Sequence, residues 1–123
     1  MSDKKMDDTT TIKKIKEAVA AFVSQRDWEQ FHSPKNMSMD IAAEAAELME
    51  LFLWVEGKES YEIVKEKRNE VEDEVADIFT AIICFCNSAN IDLSSAFERK
   101  LELTKKNYPV EKVKGMCKKY TDL

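Results

Sequence analysis

The chain has 123 residues, 44 % hydrophobic and 35 % charged, with a formal net charge of -5. That length suits a single core, and the negative balance argues against a general binder of nucleic acid. Only two Gly and two Pro occur beside abundant Glu, Lys, Ala and Leu, which points to an all-α fold. The three cysteines, Cys84, Cys86 and Cys117, show no zinc-ligand spacing and read as reduced thiols of a cytoplasmic protein. No apolar run reaches membrane-spanning length and the N-terminus has no apolar signal region, so no membrane partner is expected.

Residues 1–9 are polar and are expected to be mobile. Thr9, Thr10 or Thr11 can cap a first helix to about Arg26, with Ile12, Ile15, Val19, Phe22 and Val23 as its apolar stripe. Ser33 and Pro34 read as cap and first turn, and a second helix is expected from about Met37 to Glu56, with Gly57 as a left-handed stop. Ser60 opens a third helix to about Ser88, charged in its first half and apolar in its second, with "KESYEIVKEK" a candidate separate turn and Asn90 a stop. Asp92 caps a fourth helix, which Pro109 ends. The expected organisation is a four-helix, bundle-like unit over residues 10–109 followed by a basic tail, 110–123.

The second helix poses a problem of charge. Glu44 and Glu47 share a narrow arc with Asp40, and their neighbours Ile41, Ala45, Leu48, Leu51 and Phe52 leave little polar face. Like charges three and four residues apart repel. The third helix repeats the pattern with Glu70, Asp73, Glu74 and Asp77, and Asp77 is flanked by Val75, Ala76, Ile78 and Phe79, so it is the acid expected to be part-buried. Two such helices face to face would gather at least four carboxylates, which only cations make tolerable. Oxygen ligands without His or Cys favour Mg2+, with Mn2+ as an alternative. Such a cage also suits a ligand that carries phosphates, because Mg2+ readily shares its coordination with them. A solvated acidic face is the plainer alternative, with roughly even weight for the third helix.

Glu44-x-x-Glu47, 26 intervening residues, then Glu74-x-x-Asp77 resembles the ExxE…ExxD signature of the MazG-like all-α nucleoside triphosphate pyrophosphohydrolases. "RDWEQFHSPKN", "ELMELFLW" and the terminal "KKYTDL" are similar to the dCTP pyrophosphatase branch, and the likeness spans roughly residues 12–123. The resemblance implies cleavage between the α- and β-phosphates of a nucleoside triphosphate, metal held by Glu44, Glu47, Glu74 and Asp77, and a homodimer or homotetramer in which the active site is completed. Glu47 is assigned to the attacking water. Lys100 matches a family lysine and is the first choice for the outer phosphates, ahead of Lys105, Lys106 and Arg26. Trp28, Trp54 and Tyr108 match substrate-binding positions, although each also reads as a packing residue.

Four positions depart from the vertebrate-like pattern: Val19 for histidine, Ala81 for tyrosine, Thr104 for asparagine and Asn107 for arginine. The first and third remove groups that could read a base edge. The lone His32 is given no catalytic role. Rival readings are another triphosphate or phosphoribosyl-ATP as substrate, or a non-catalytic helical interaction module.

Overall fold

The computed structural model describes residues 6–123. The expectation of a mobile N-terminus falls partly on residues 1–5, which lie outside the described residues. Met6 and Thr9 close a small turn, with Met6 N–H donating to Thr9 Oγ1 and Thr9 N–H to Met6 O, both at 3.0 Å.

Among the described residues the regular structure is helical throughout, with no strand. Helix α1 covers Ile12–Gln25, and extended Thr11 caps it by accepting from Lys14 N–H at 3.1 Å. Its other end is a Schellman turn. Asp27 takes the left-handed conformation (φ 55°), Asp27 N–H donates to Ser24 O and Trp28 N–H donates to Val23 O. Helix α2 covers Pro34–Glu50, where Ser33 Oγ accepts from Asn36 N–H and Pro34 occupies the first turn.

The second helix stops earlier than its pattern suggests. Residues 51–54 are turns, and the left-handed residue is Trp54 (φ 70°), not Gly57, which instead starts a short 3-10 turn. Phe52, Trp54 and Val55 are weak helix formers, and the half-buried Leu51, Phe52 and Val55 stay against the protein by leaving the helix axis. The expected third helix is two, and the stretch 58–67, a candidate separate turn, is set apart as a 3-10 turn and a short helix. Helix α3 covers Ser60–Glu66 and α4 covers Arg68–Ala89, with a break at Lys67 (φ -114°, ψ 38°). No Gly or Pro marks that break, and Ile63, Val64 and Val71 are half-buried on both sides of it, so the apolar period runs through.

Asn90 ends α4 in the left-handed region (φ 58°, ψ 49°) as expected. Helix α5 covers Leu93–Asn107, capped by Asp92 accepting from Ser95 N–H at 2.9 Å. A short α6, Val110–Val113, and a 3-10 turn, Tyr120–Asp122, follow. Helices α1, α2, α4 and α5 are the four long ones. No single described helix is long and apolar enough to cross a membrane.

The described residues fall into two compact units, one ending at Asn90 and the other spanning Ile91–Leu123. In the first, Val23 of α1, Met37 of α2 and Cys84 of α4 form a buried cluster with Val19 and Phe85 against it, and Ala81, Ile83 and Cys86 are also buried. In the second, Tyr108 Oη accepts from Tyr120 N–H at 3.1 Å, and the two rings meet edge to face.

Asn90→Gly should leave stability nearly unchanged, whereas Asn90→Val, forcing a β-branched residue into φ 58°, should cost about 1–2 kcal/mol. Urea unfolding of the two variants checks this.

Candidate active site

The contacts between α2 and α4 run in opposite chain directions. Met37 meets Cys84, Glu44 lies by Asp77, and Glu47 lies by Glu74. An antiparallel helix pair thus brings two acidic pairs, 26 residues apart in sequence, onto one seam. One carboxylate oxygen from each of Glu44, Glu47, Glu74 and Asp77 lies within 4.8 Å of the other three.

Among the described residues no base is paired with these acids. The described ion pairs are Lys13–Glu17, Lys65–Glu62, Arg68–Glu72 and Lys105–Glu102, all at exposed side chains elsewhere. Glu44 and Glu74 are half-buried, and Oε2 of each is shut off from solvent with no hydrogen-bond partner. Burial, then the charges of Glu47, Asp77 and Asp40, raises the Glu44 carboxyl above its ordinary value. Burial and then Glu47, with Asp77 and Asp73 behind it, raises Glu74 likewise. A carboxylate oxygen in that position wants a cation, and a divalent ion shared by four oxygens is the economical solution. The orphaned oxygens therefore fit the metal that the spacing implied.

Asp77 is exposed, contrary to the expectation that it is the part-buried acid; Glu74, one turn earlier, holds that place. Val75 and Ala76 before it are exposed while Ile78 and Phe79 after it are half-buried, so an apolar flank in sequence is not by itself a buried flank in space. The same holds on α2, where Ala42, Ala43, Ala45, Ala46 and Met49 are exposed around the glutamates.

The Schellman turn that ends α1 sets Trp28 edge-on to Phe22, with ring centroids 5.6 Å apart. Arg26, a weaker phosphate candidate, is engaged locally; its guanidinium lies 3.8 Å over the Phe22 ring and donates to Phe22 O. Trp54 lies beyond the end of α2, not on it, and is 98 % exposed. Lys100 (exposed) and Tyr108 (half-buried) belong to the second unit.

Between α1 and α4 lies a cavity of about 540 Å3, lined by Val19, Val23 and Cys84 and by Ser24, Glu29 and Asn87 among its polar groups. Cys84 follows Asp77 by seven residues, two turns on one face of α4, or about 10 Å. Burial, with Asp40 behind it, pushes the Cys84 thiol up, so this floor is neutral. Glu29 lies in the stretch RDWEQFHSPKN, Asn87 lies in no motif, and only the fold brings the two together.

A sequence profile of the MazG-like family matches residues 40–123, the segment that carries both acidic pairs. The chain belongs to the MazG-like family. Among its relatives, dCTP pyrophosphatase 1 of Rattus norvegicus is 32 % identical over 117 residues, covering 92 % of this chain and 68 % of the relative. The Bos taurus protein of the same name is 33 % identical over 115 residues, with the same coverage. The crystal structure of a pyrophosphatase from Archaeoglobus fulgidus superposes with a TM-score of 0.77 at 29 % identity, over 89 % of this chain and 98 % of that one. The all-α, MazG-like resemblance read from the acidic pairs is borne out by these matches.

The raised carboxyls make a signed prediction for the metal-free protein. Both groups are costly when ionised, so their penalty is full above the raised folded value and is relieved as pH falls through it towards the ordinary 4.5. Glu44→Gln and Glu74→Gln should each raise the Tm of the metal-free protein at about pH 7.5, and the gain should shrink on acidification. Thermal melts in chelator across that range check it.

Proposed function

We propose that this chain is a Mg2+-dependent nucleoside triphosphate pyrophosphohydrolase, cleaving between the α- and β-phosphates of dCTP or a related deoxynucleotide to the monophosphate and pyrophosphate. The observation that carries the reading is the pair of occluded, partnerless oxygens on Glu44 and Glu74 inside a four-carboxylate cluster. A non-catalytic interaction module would leave that costly arrangement without a purpose. The names of the relatives support the same reaction class.

Glu44, Glu47, Glu74 and Asp77 are the proposed metal ligands, with Mn2+ able to replace Mg2+ in such an all-oxygen set. The bound cation would supply charge neutralisation for the phosphates and acidify a nearby water. Glu47, exposed at the edge of the cluster and beside both half-buried glutamates, is assigned to orient that water and accept its proton. The half-buried Glu44 and Glu74 are held by the helix pair and act as fixed oxygens. The cavity two turns along α4 stands at about the distance that separates a nucleotide's α-phosphate from its base, and it is assigned to the nucleoside. Trp28 is assigned to that end of the ligand, where an exposed indole can stack on a base.

We infer that the working enzyme is a homo-oligomer. Phe97 is 65 % exposed, Tyr61 77 % and Trp54 98 %, more apolar surface than one small chain ordinarily leaves in water. An apolar groove of about 410 Å3 between α3 and α4, lined by Val64, Val71, Val75 and Phe79, suits a second copy. Trp54, Lys100 and Tyr108 are proposed to contact substrate in the assembled oligomer.

Offered each canonical NTP and dNTP with Mg2+, the protein should release pyrophosphate and not orthophosphate, with dCTP or a close relative ranked first; orthophosphate release contradicts the assignment. Glu47→Gln should lower turnover by about 100-fold or more while the fold survives, and wild-type turnover in that variant removes Glu47 from its role. Light scattering should give a dimer or tetramer mass, which Val75→Glu in the groove should reduce.

A further inference from the structure

We propose, resting on the pyrophosphohydrolase reading, that Asp40 is a specificity-determining residue that accepts a hydrogen bond from the 3'-hydroxyl of the nucleotide's sugar.

Helices α2 and α4 keep one antiparallel register through Met37 and Cys84, Glu44 and Asp77, and Glu47 and Glu74. That register sets Asp40 opposite Ala81, and each lies one turn, about 6 Å, from the acid cluster along its own helix. In the other direction Cys84, three residues beyond Ala81, lines the cavity. The Asp40 charge acts on both ends of this interval, on the Glu44 carboxyl and on the Cys84 thiol. A nucleotide with its phosphates at the acids and its base at the cavity would carry its sugar across the same interval.

Asp40 is half-buried and has no hydrogen-bond or ion-pair partner among the described residues. It is not one of the four carboxylates whose oxygens converge, so a metal held by that cluster does not account for it. Across the helix pair, Ala81 is buried and has no side-chain hydrogen-bonding group, and the neighbouring Thr80 hydroxyl donates to Ala76 O at 2.8 Å. An ionised carboxylate only accepts hydrogen bonds, so the group that suits Asp40 is a donor. The triphosphate brings acceptors, whereas the sugar of a deoxynucleotide brings one hydroxyl donor, at the 3' position. A hydroxyl bonded to a carboxylate is among the stronger hydrogen bonds. A ligand without that hydroxyl would cover Asp40 and leave it unpaired, which is the basis of discrimination.

The test compares kcat/KM for each of the four deoxynucleoside triphosphates with that for its 2',3'-dideoxy counterpart, with Mg2+, in the wild type, Asp40→Asn and Asp40→Ala. For the deoxynucleotide that the wild type turns over fastest, loss of the 3'-hydroxyl should cost roughly tenfold or more, mainly through KM. Asp40→Ala should bring that ratio to about one, and Asp40→Asn, whose amide oxygen still accepts, should keep part of it. The ratio is unaffected by any change in charge that acts on both nucleotides alike. Neither substitution should lower Tm, because each removes a charge that repels Glu44. A wild type indifferent to the 3'-hydroxyl overturns the role of Asp40 while leaving the activity standing. So does an Asp40→Ala variant that slows both members of the pair equally, which is the mark of a metal ligand, or that leaves both unchanged. Failure to release pyrophosphate from every triphosphate overturns the activity and this inference with it.

Discussion

Mutual repulsion among four carboxylates is the constraint on which the functional architecture turns. Protein folds bury acids beside bases or expose them to water. Here α2 and α4 are packed so that Glu44 and Glu74 lose water on one oxygen each and gain only other acids as neighbours. The arrangement is stable only because the same two helices also bury Met37 and Cys84 against Val23 of α1. Apolar contacts at one end of the seam thus hold charge together further along it. A cation bound there would relieve that repulsion, so in the proposed function affinity for a divalent ion and strain in the free protein are two sides of one arrangement.

Position along α4 then organises the rest. The acid cluster and the cavity share α4, two helical turns apart, and in the proposed function that offset would serve the two ends of a nucleotide. In the proposed function, phosphate chemistry and base recognition would be separated along α4, so that the base end could change without disturbing the metal end. Substitutions such as Val19 at the cavity floor are of that kind. The apolar side chains left exposed on both units extend the same logic outward, because surface that costs free energy in one chain favours association of several.

Much of this was legible in the sequence where local chemistry decides. Thr11, Ser33, Asp92 and Asn90 each announce a helix end through a side chain or backbone preference of their own, and the structure places each there. The ExxE and ExxD spacings put their acids on one helical face, and the fold brings the faces together. The rest depended on tertiary context. The break at Lys67 has no Gly or Pro, and its flanking apolar positions stay in phase. The left-handed turn after α2 falls on Trp54 because half-buried Leu51, Phe52 and Val55 bend the chain early, overriding the glycine three residues on. Asp77 is flanked by apolar residues, yet Val75 and Ala76 are exposed and only Ile78 and Phe79 are half-buried, so its flank in sequence does not bury it. Glu29 lies in a stretch with a family likeness, but its nearness to Asn87 was not legible, because only the folded α1–α4 contact relates the two.

The most direct test of the central claim is anomalous diffraction from crystals grown with Mn2+. A peak at about 2.1 Å from carboxylate oxygens of Glu44, Glu47, Glu74 and Asp77 is the expected result. Mn2+ bound elsewhere, or those four side chains turned outward into solvent with no ion between them at saturating metal, would contradict the account.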